Sequence, residues 1–134
     1  MRFGRGGSAS FISKDGLLIS NHHVGAGTLQ RLSSKENNLI YEGFYARTLA
    51  EEKPCPGVEL WVLIEIEDVT ARVNQAVKPG MPDEPAFEAR RGVIAEIEKS
   101  CSQAENTRCD IVTLFQGAEY HLYKYRRYAD VRLV

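Results

Sequence analysis

The sequence has no long apolar run, no excess of either charge and very little cysteine, and each shortage removes a class of protein. Of the 134 residues, 17 are Lys or Arg and 18 are Asp or Glu, which leaves a net charge of -1 with the three His neutral. A chain without positive excess lacks the field that displaces counterions from a phosphate backbone, which argues against a non-specific nucleic-acid binder. No run reaches the ~18 apolar residues that a membrane-spanning helix needs. The longest candidate, residues 58 to 66, is interrupted by Glu59 and Glu65. The opening residues, Met1-Arg2-Phe3-Gly4-Arg5-Gly6-Gly7, contain no apolar stretch of the secretory-signal kind. Three cysteines (Cys55, Cys101 and Cys109) are too few for a disulfide-stapled miniprotein. No C-x-x-C pair is present and the His-His pair lies far from the cysteines in sequence, which disfavours zinc. Cys101 and Cys109 flank seven mostly polar residues that read as a loop. The residues alone leave two readings open, a bridge in an oxidising compartment or two reduced thiols.

What is present describes an ordinary globular chain. An apolar share of 43% with 26% charged residues argues against disorder, and the length is that of about one domain. The first 24 residues read as a β-hairpin. Ser8, Ser10 and Ser13 alternate loosely with Ala9, Phe11 and Ile12, Lys14-Asp15-Gly16 supplies the turn, and Leu17-Leu18-Ile19 returns. The chain then leaves through Ser20-Asn21-His22-His23-Val24 into Gly25-Ala26-Gly27, followed by weak helical spacing over residues 30 to 38 and the aromatic group Tyr41, Phe44 and Tyr45. Residues 58 to 69 carry the clearest strand pattern, with Leu60, Val62, Ile64 and Ile66 on one face and Glu59, Trp61, Leu63, Glu65 and Glu67 on the other. After Lys78-Pro79-Gly80-Met81-Pro82, Asp83 is expected to be the N-cap of a helix with Glu84 in its first turn and an apolar stripe of Ala86, Phe87, Val93, Ile94 and Ile97. Strands are expected over residues 111 to 115, over residues 120 to 128 and from Val131 onward. The last is cut off without a closing turn, so the chain is expected to be a fragment.

The stretch with chemical content is Gly7-Ser8-Ala9-Ser10-Phe11-Ile12-Ser13-Lys14-Asp15-Gly16-Leu17-Leu18-Ile19-Ser20-Asn21-His22-His23-Val24. A small-residue strand, a turn, an apolar strand and a His at its exit is how chymotrypsin-type serine peptidases hold their general base on a rigid support. Asn21-His22-His23, with Gly43-Phe44-Tyr45-Ala46-Arg47-Thr48, Pro54-Cys55-Pro56-Gly57, Ile66-Glu67-Asp68-Val69-Thr70 and Tyr125-Arg126-Arg127-Tyr128-Ala129-Asp130-Val131-Arg132-Leu133-Val134, resembles the bacterial dipeptidyl-peptidase 7 and 11 family of the chymotrypsin clan. The similarity runs through the whole chain in the right order. It implies a mainly β fold with one or two helices, forming an incomplete part (the first barrel) of a chymotrypsin-like double β-barrel. Residues 1–134 would be the N-terminal part of the catalytic domain, with a helical insertion around 79–100; the second barrel and a helical cap domain would be absent.

The resemblance further implies an enzyme that removes dipeptides from peptides with a free N-terminus, by a Ser-His-Asp triad and with no metal or organic cofactor. It implies a homodimer exported to the periplasm or cell envelope. His23 matches the catalytic base and Cys101 and Cys109 match a Cys pair, which favours a disulfide there. Two other family cysteines are replaced together, by Gly7 and Val24, and Val24 can pack in the space left. The Ser and Asp of the triad have no match. No Gly-Asp-Ser-Gly-like segment exists, Ser8, Ser10, Ser33 and Ser34 lack an oxyanion-hole loop, and Asp68 and Asp130 read as structural. The chain alone is therefore expected to be inactive and to need the C-terminal part of the same enzyme. A non-catalytic barrel used as a binding or structural module is the alternative. An exported quality-control endopeptidase shares the strand-Asn-x-His-Val pattern but not the segments at 43–57 and 66–70. The aromatic run Tyr120, Tyr123, Tyr125 and Tyr128 reads as wall packing. Lys124, Arg126, Arg127 and Arg132 read as a solvated basic face, Glu59, Glu65 and Glu67 as a solvated acidic one.

Overall fold

The computed structural model describes residues 1–4 and 6–134, and the chain divides into two compact units. The first comprises Met1–Val62 with Arg127–Val134, the second Leu63–Arg126. Mainly β structure is accompanied by two helices longer than two turns and by shorter helical turns.

In the first unit, β1 (Arg2–Phe3) pairs antiparallel with β2 (Gly7–Phe11), and β2 pairs with β3 (Leu18–Ser20) in the register Ala9↔Ser20, Ser10↔Ile19, Phe11↔Leu18. The expected hairpin turn forms. Ser13 Oγ accepts from the amides of Asp15 and Leu17, and Gly16 takes a φ of 94°, which L side chains rarely adopt. On its other side β1 pairs with the start of β5 (Leu60–Asp68), Phe3 opposite Leu60. A second, two-stranded sheet joins β4 (Lys53–Pro54) to β8 (Arg132–Leu133). Cys55, Val58, Leu60 and Val131 form the unit's buried cluster, with Met1, Phe3, Leu18, Leu32 and Leu133 packed against it.

The exit from the hairpin differs from the sequence reading. Instead of an irregular path with weak helix over residues 30 to 38, α1 runs from His22 to Leu32 and α2 is a single turn, Leu39–Glu42. Two glycines inside α1, each costing about 1 kcal/mol relative to Ala, mask it in the sequence. No residue of α1 is fully buried, so contacts at its ends hold it. Ser33 Oγ donates to the Leu29 carbonyl and accepts from the Leu39 amide, joining α1 to α2. The Tyr41–Phe44–Tyr45 group is not a packed cluster: Tyr41 is 90% and Tyr45 79% exposed, and only Phe44 has a partner ring contact, with Lys53.

In the second unit β7 (Glu119–Tyr128) lies between β5 and β6 (Thr107–Leu114). β6 begins four residues earlier than expected, because Thr107, Cys109 and Ile111 alternate on the helix-facing edge despite their polar neighbours. The helix after Pro82, α4, is Asp83–Cys101. Its Ala86 and Ile97 are buried, and Val93, Ile94 and Cys101 pack on a core of Val69, Val73, Ile97, Cys109, Tyr120 and Leu122. Phe87 does not join the stripe; it is 58% exposed, since it follows Ala86 by one residue and so sits about 100° round the helix. The face of β5 expected to be apolar is also open, with Ile64 and Ile66 about half exposed. Tyr120 and Tyr125 are buried whereas Tyr128 is exposed. The charges read as solvated faces are largely at the surface, where Lys124 pairs with Glu65 and Arg127 with Glu59.

α4 also closes the outer edge of β6. Thr107 N–H donates to Ala104 O (3.1 Å), Cys109 N–H to Ser102 Oγ (3.1 Å) and Ile111 N–H to Glu98 Oε1 (2.7 Å). Successive outward amides of an edge strand, which would otherwise template pairing with another chain, thus meet acceptors from one helix and its following turn. A Cys101–Cys109 disulfide lies across the same junction, with Cα atoms 5.9 Å apart.

Candidate active site

His22 and His23 are the first two residues of α1, and both are exposed. Asn21 stands at the N-cap position with extended backbone, but its side chain makes no cap hydrogen bond. The turn is closed instead by Val24 N–H, which donates to the Asn21 carbonyl at 3.0 Å. One residue upstream, Ser20 Oγ donates to Ser8 O at 2.7 Å and locks the end of β3 onto β2. An imidazole at this position is accessible to solvent and carried on a short span tied at both ends, which is what a proton-transfer group requires.

An open hollow of about 1150 Å³ lies in the first unit beside this turn. Its floor is the apolar cluster at Val58, Leu60 and Val131, and its wall includes Asn21, His22 and Thr28. His22 lines the hollow and His23 does not. No group of three or more His, Cys, Asp or Glu among the described residues could hold a metal ion.

The other acidic candidates have local tasks. Asp68 Oδ1 accepts from the Thr70 amide at 2.9 Å, at the start of α3 (Thr70–Asn74). Hydrogen bonds from Thr70 hold its carboxyl below the usual aspartate range. Asp130 takes two 3.0 Å hydrogen bonds from Arg132, whose guanidinium likewise lowers its pKa. Neither carboxylate is shared with an imidazole of α1. Cys55, whose thiol burial pushes up, is a buried core residue without a disulfide. The His that does meet a carboxylate is His121, whose Nε2 is 2.9 Å from Glu119 Oε2 in the second unit.

The contact that seats α1 is the packing expected of Val24 in the space beside Gly7. A β-carbon built on Gly7 would lie 3.1 Å from Val24 Cβ and 2.9 Å from Val24 Cγ2, and would overlap its Cγ1. The simultaneous departure of these two positions from the family pattern was the one signal of it.

A hairpin that hands an exposed His to the first turn of a helix is an arrangement found in peptidases, and the comparisons define the class. The structure resembles the crystal structure of Porphyromonas endodontalis DPP11 in complex with the dipeptide Arg-Glu. The TM-score is 0.76 and the identity 31%, over 94% of this chain and 19% of that one. The family model for peptidase S46 matches residues 1–134. The chain belongs to the peptidase S46 family. Among curated relatives it is similar to dipeptidyl-peptidase 7 of Capnocytophaga gingivalis, 31% identical over all of this chain and 19% of the relative. It is equally similar to the Asp/Glu-specific dipeptidyl-peptidase of the same organism, 31% identical over 98% of this chain and 18% of the relative. It thus spans about a fifth of the length of the relatives it matches.

Proposed function

We propose that this chain is the N-terminal part of the catalytic domain of a serine-type dipeptidyl-peptidase, in which His23 is the general base. One observation carries the reading: an exposed imidazole in a first helical turn held to β2 by Ser20 before it and Val24 after it, within the Asn21-His22-His23 motif. In the intact enzyme His23 would take the proton from a Ser hydroxyl as the oxygen attacks the scissile carbonyl. It would then return that proton to the leaving amine. The Ser and the Asp that orients the imidazole would come from sequence outside these 134 residues, as would the groups that grip the substrate's amino terminus.

On this reading the first unit belongs to one barrel of a chymotrypsin-like pair. The whole enzyme would act as a homodimer in the periplasm or cell envelope. The lone chain would not hydrolyse peptides, because absence of the nucleophile and of an oxyanion hole together costs on the order of 10⁶-fold in rate. The test is dipeptide release from a chromogenic dipeptide substrate. The isolated chain should give none. The full-length peptidase should give turnover that His23→Ala abolishes without changing its thermal midpoint. Retained turnover in that variant would reject His23 as the base. An inactive full-length protein that is otherwise folded would favour a binding module.

A further inference from the structure

We propose that Val24, seated on Gly7, is the positioning residue that fixes the first turn of α1 and with it the direction of the His23 imidazole. Gly7 lies in β2 with a backbone that side-chain-bearing residues also adopt, so space and not conformation demands glycine there. The demand comes from one side chain, since the nearest atoms to a β-carbon at Gly7 all belong to Val24. The valine methyls fill a notch that exists only because residue 7 has no side chain, in the manner of a knob in a hole.

Its consequence for His23 follows from connectivity. Residues 20 to 24 form a short arch over β2. Ser20 Oγ ties the arch to Ser8 O at one end. Val24 ties the other end through its side chain to Gly7, and its N–H closes the arch on itself by donating to Asn21 O. Ser8 and Gly7 are neighbours in β2, so both feet of the arch stand on adjacent residues of one strand. No residue of α1 is fully buried, and at this end Val24 is the partly buried side chain that meets β2. A shift of Val24 therefore turns the residue before it, and that residue is His23. This assignment rests on His23 being the base, but it can fail separately.

The experiment is a mutant cycle read by the imidazole NMR signals of this chain, with His121 as internal reference. Gly7→Ala inserts a methyl where Val24 stands and should displace the His23 resonances while leaving those of His121 in place. Val24→Ala empties the notch and should broaden or shift the same signals. The double variant leaves only the β-carbon approach and should return them toward the wild-type positions, so that the two changes do not add. Val131→Ala loosens the core of the same unit without touching either residue; it should lower the thermal midpoint and leave His23 unmoved. If Gly7→Ala does not fold, Val24→Ala alone decides. A His23 signal that follows the thermal midpoint equally in all variants, or that ignores both Gly7 and Val24, overturns the proposal. The reading of His23 as base is judged by the turnover of His23→Ala in the full-length peptidase, which these spectra do not affect.

Discussion

The two units of the chain close their sheets by opposite means. In the second, a 19-residue helix covers the core, its side chains and following turn satisfy the outer amides of β6, and a disulfide holds the junction. Val73 and Ile97 are 0% and 1% exposed there. The first unit has no disulfide among its described residues, its helix α1 buries nothing completely, and its apolar cluster forms the floor of a hollow. Yet the motif with chemical content lies in the first. A group that must exchange protons with a substrate needs access, so its support has to come from a few short-range ties (Ser20 to Ser8, Val24 to Gly7) and not from burial. Closure lies in one unit and the candidate proton-transfer group in the other.

The largest expected effect breaks that division if it is wrong. In a full-length peptidase carrying this segment, His23→Ala should cost about 10⁴- to 10⁶-fold in kcat, as removal of a triad member does. His121→Ala, in the closed unit and already engaged with Glu119, should leave turnover close to wild type. Comparable losses in both variants would place chemistry in the second unit as well.

The next effect tests how the second unit is closed. Reducing Cys101–Cys109 should lower stability by about 2.5 kcal/mol, the loop-closure estimate for so short a ring. Hydrogen exchange should rise first at the Cys109 and Ile111 amides, whose acceptors come from Ser102 and Glu98. The β2–β3 amides of the first unit should change little. Equal acceleration in both would mean that the units open as one.

How much of this was legible beforehand follows the same division. β5, β7, α4 and the β2–β3 hairpin show in the sequence because period, turn residues and a proline-led helix start agree. α1 was hidden by Gly25 and Gly27, and the early start of β6 by Thr107, Arg108 and Asp110, whose polarity reads as loop. Phe87 stands outside its stripe, and Ile64 and Ile66 share their strand face without cover, since periodicity assigns a face without saying whether anything covers it. For the site, family likeness marked the place at Asn21-His22-His23 and the packing of Val24 beside Gly7. The helix beneath depends on contacts that no local pattern encodes.

Matched valine truncations sharpen the contrast in packing. Val73→Ala should destabilise by about 2 kcal/mol, the loss of two buried methyls plus a cavity that a closed core cannot collapse. Val131→Ala, at the floor of the hollow, should cost about half as much, because its surroundings can relax and water can reach the site. Urea denaturation of both variants decides it; a larger loss at Val131 would show the first unit's cluster to be the tighter one.

The smallest effect is in acid, and salt separates the units there. Asp68 in the second and Asp130 in the first are both held below the ordinary aspartate value in the folded chain. As pH falls below about 3.9 the unfolded chain therefore takes up the extra protons, and stability declines until the folded carboxyls are protonated too. Asp68→Asn and Asp130→Asn should each flatten that decline in a pH series of thermal midpoints. Hydrogen bonds are the first cause in both, from Thr70 to Asp68 and from Arg132 to Asp130, but the Arg132 donor is itself a charged guanidinium. Concentrated salt screens an exposed ion pair but leaves a hydrogen bond to an amide in place. In high salt the Asp130→Asn variant should lose more of its difference from wild type than Asp68→Asn does, and an equal response of the two would show that the charge of Arg132 adds nothing to its hydrogen bonds.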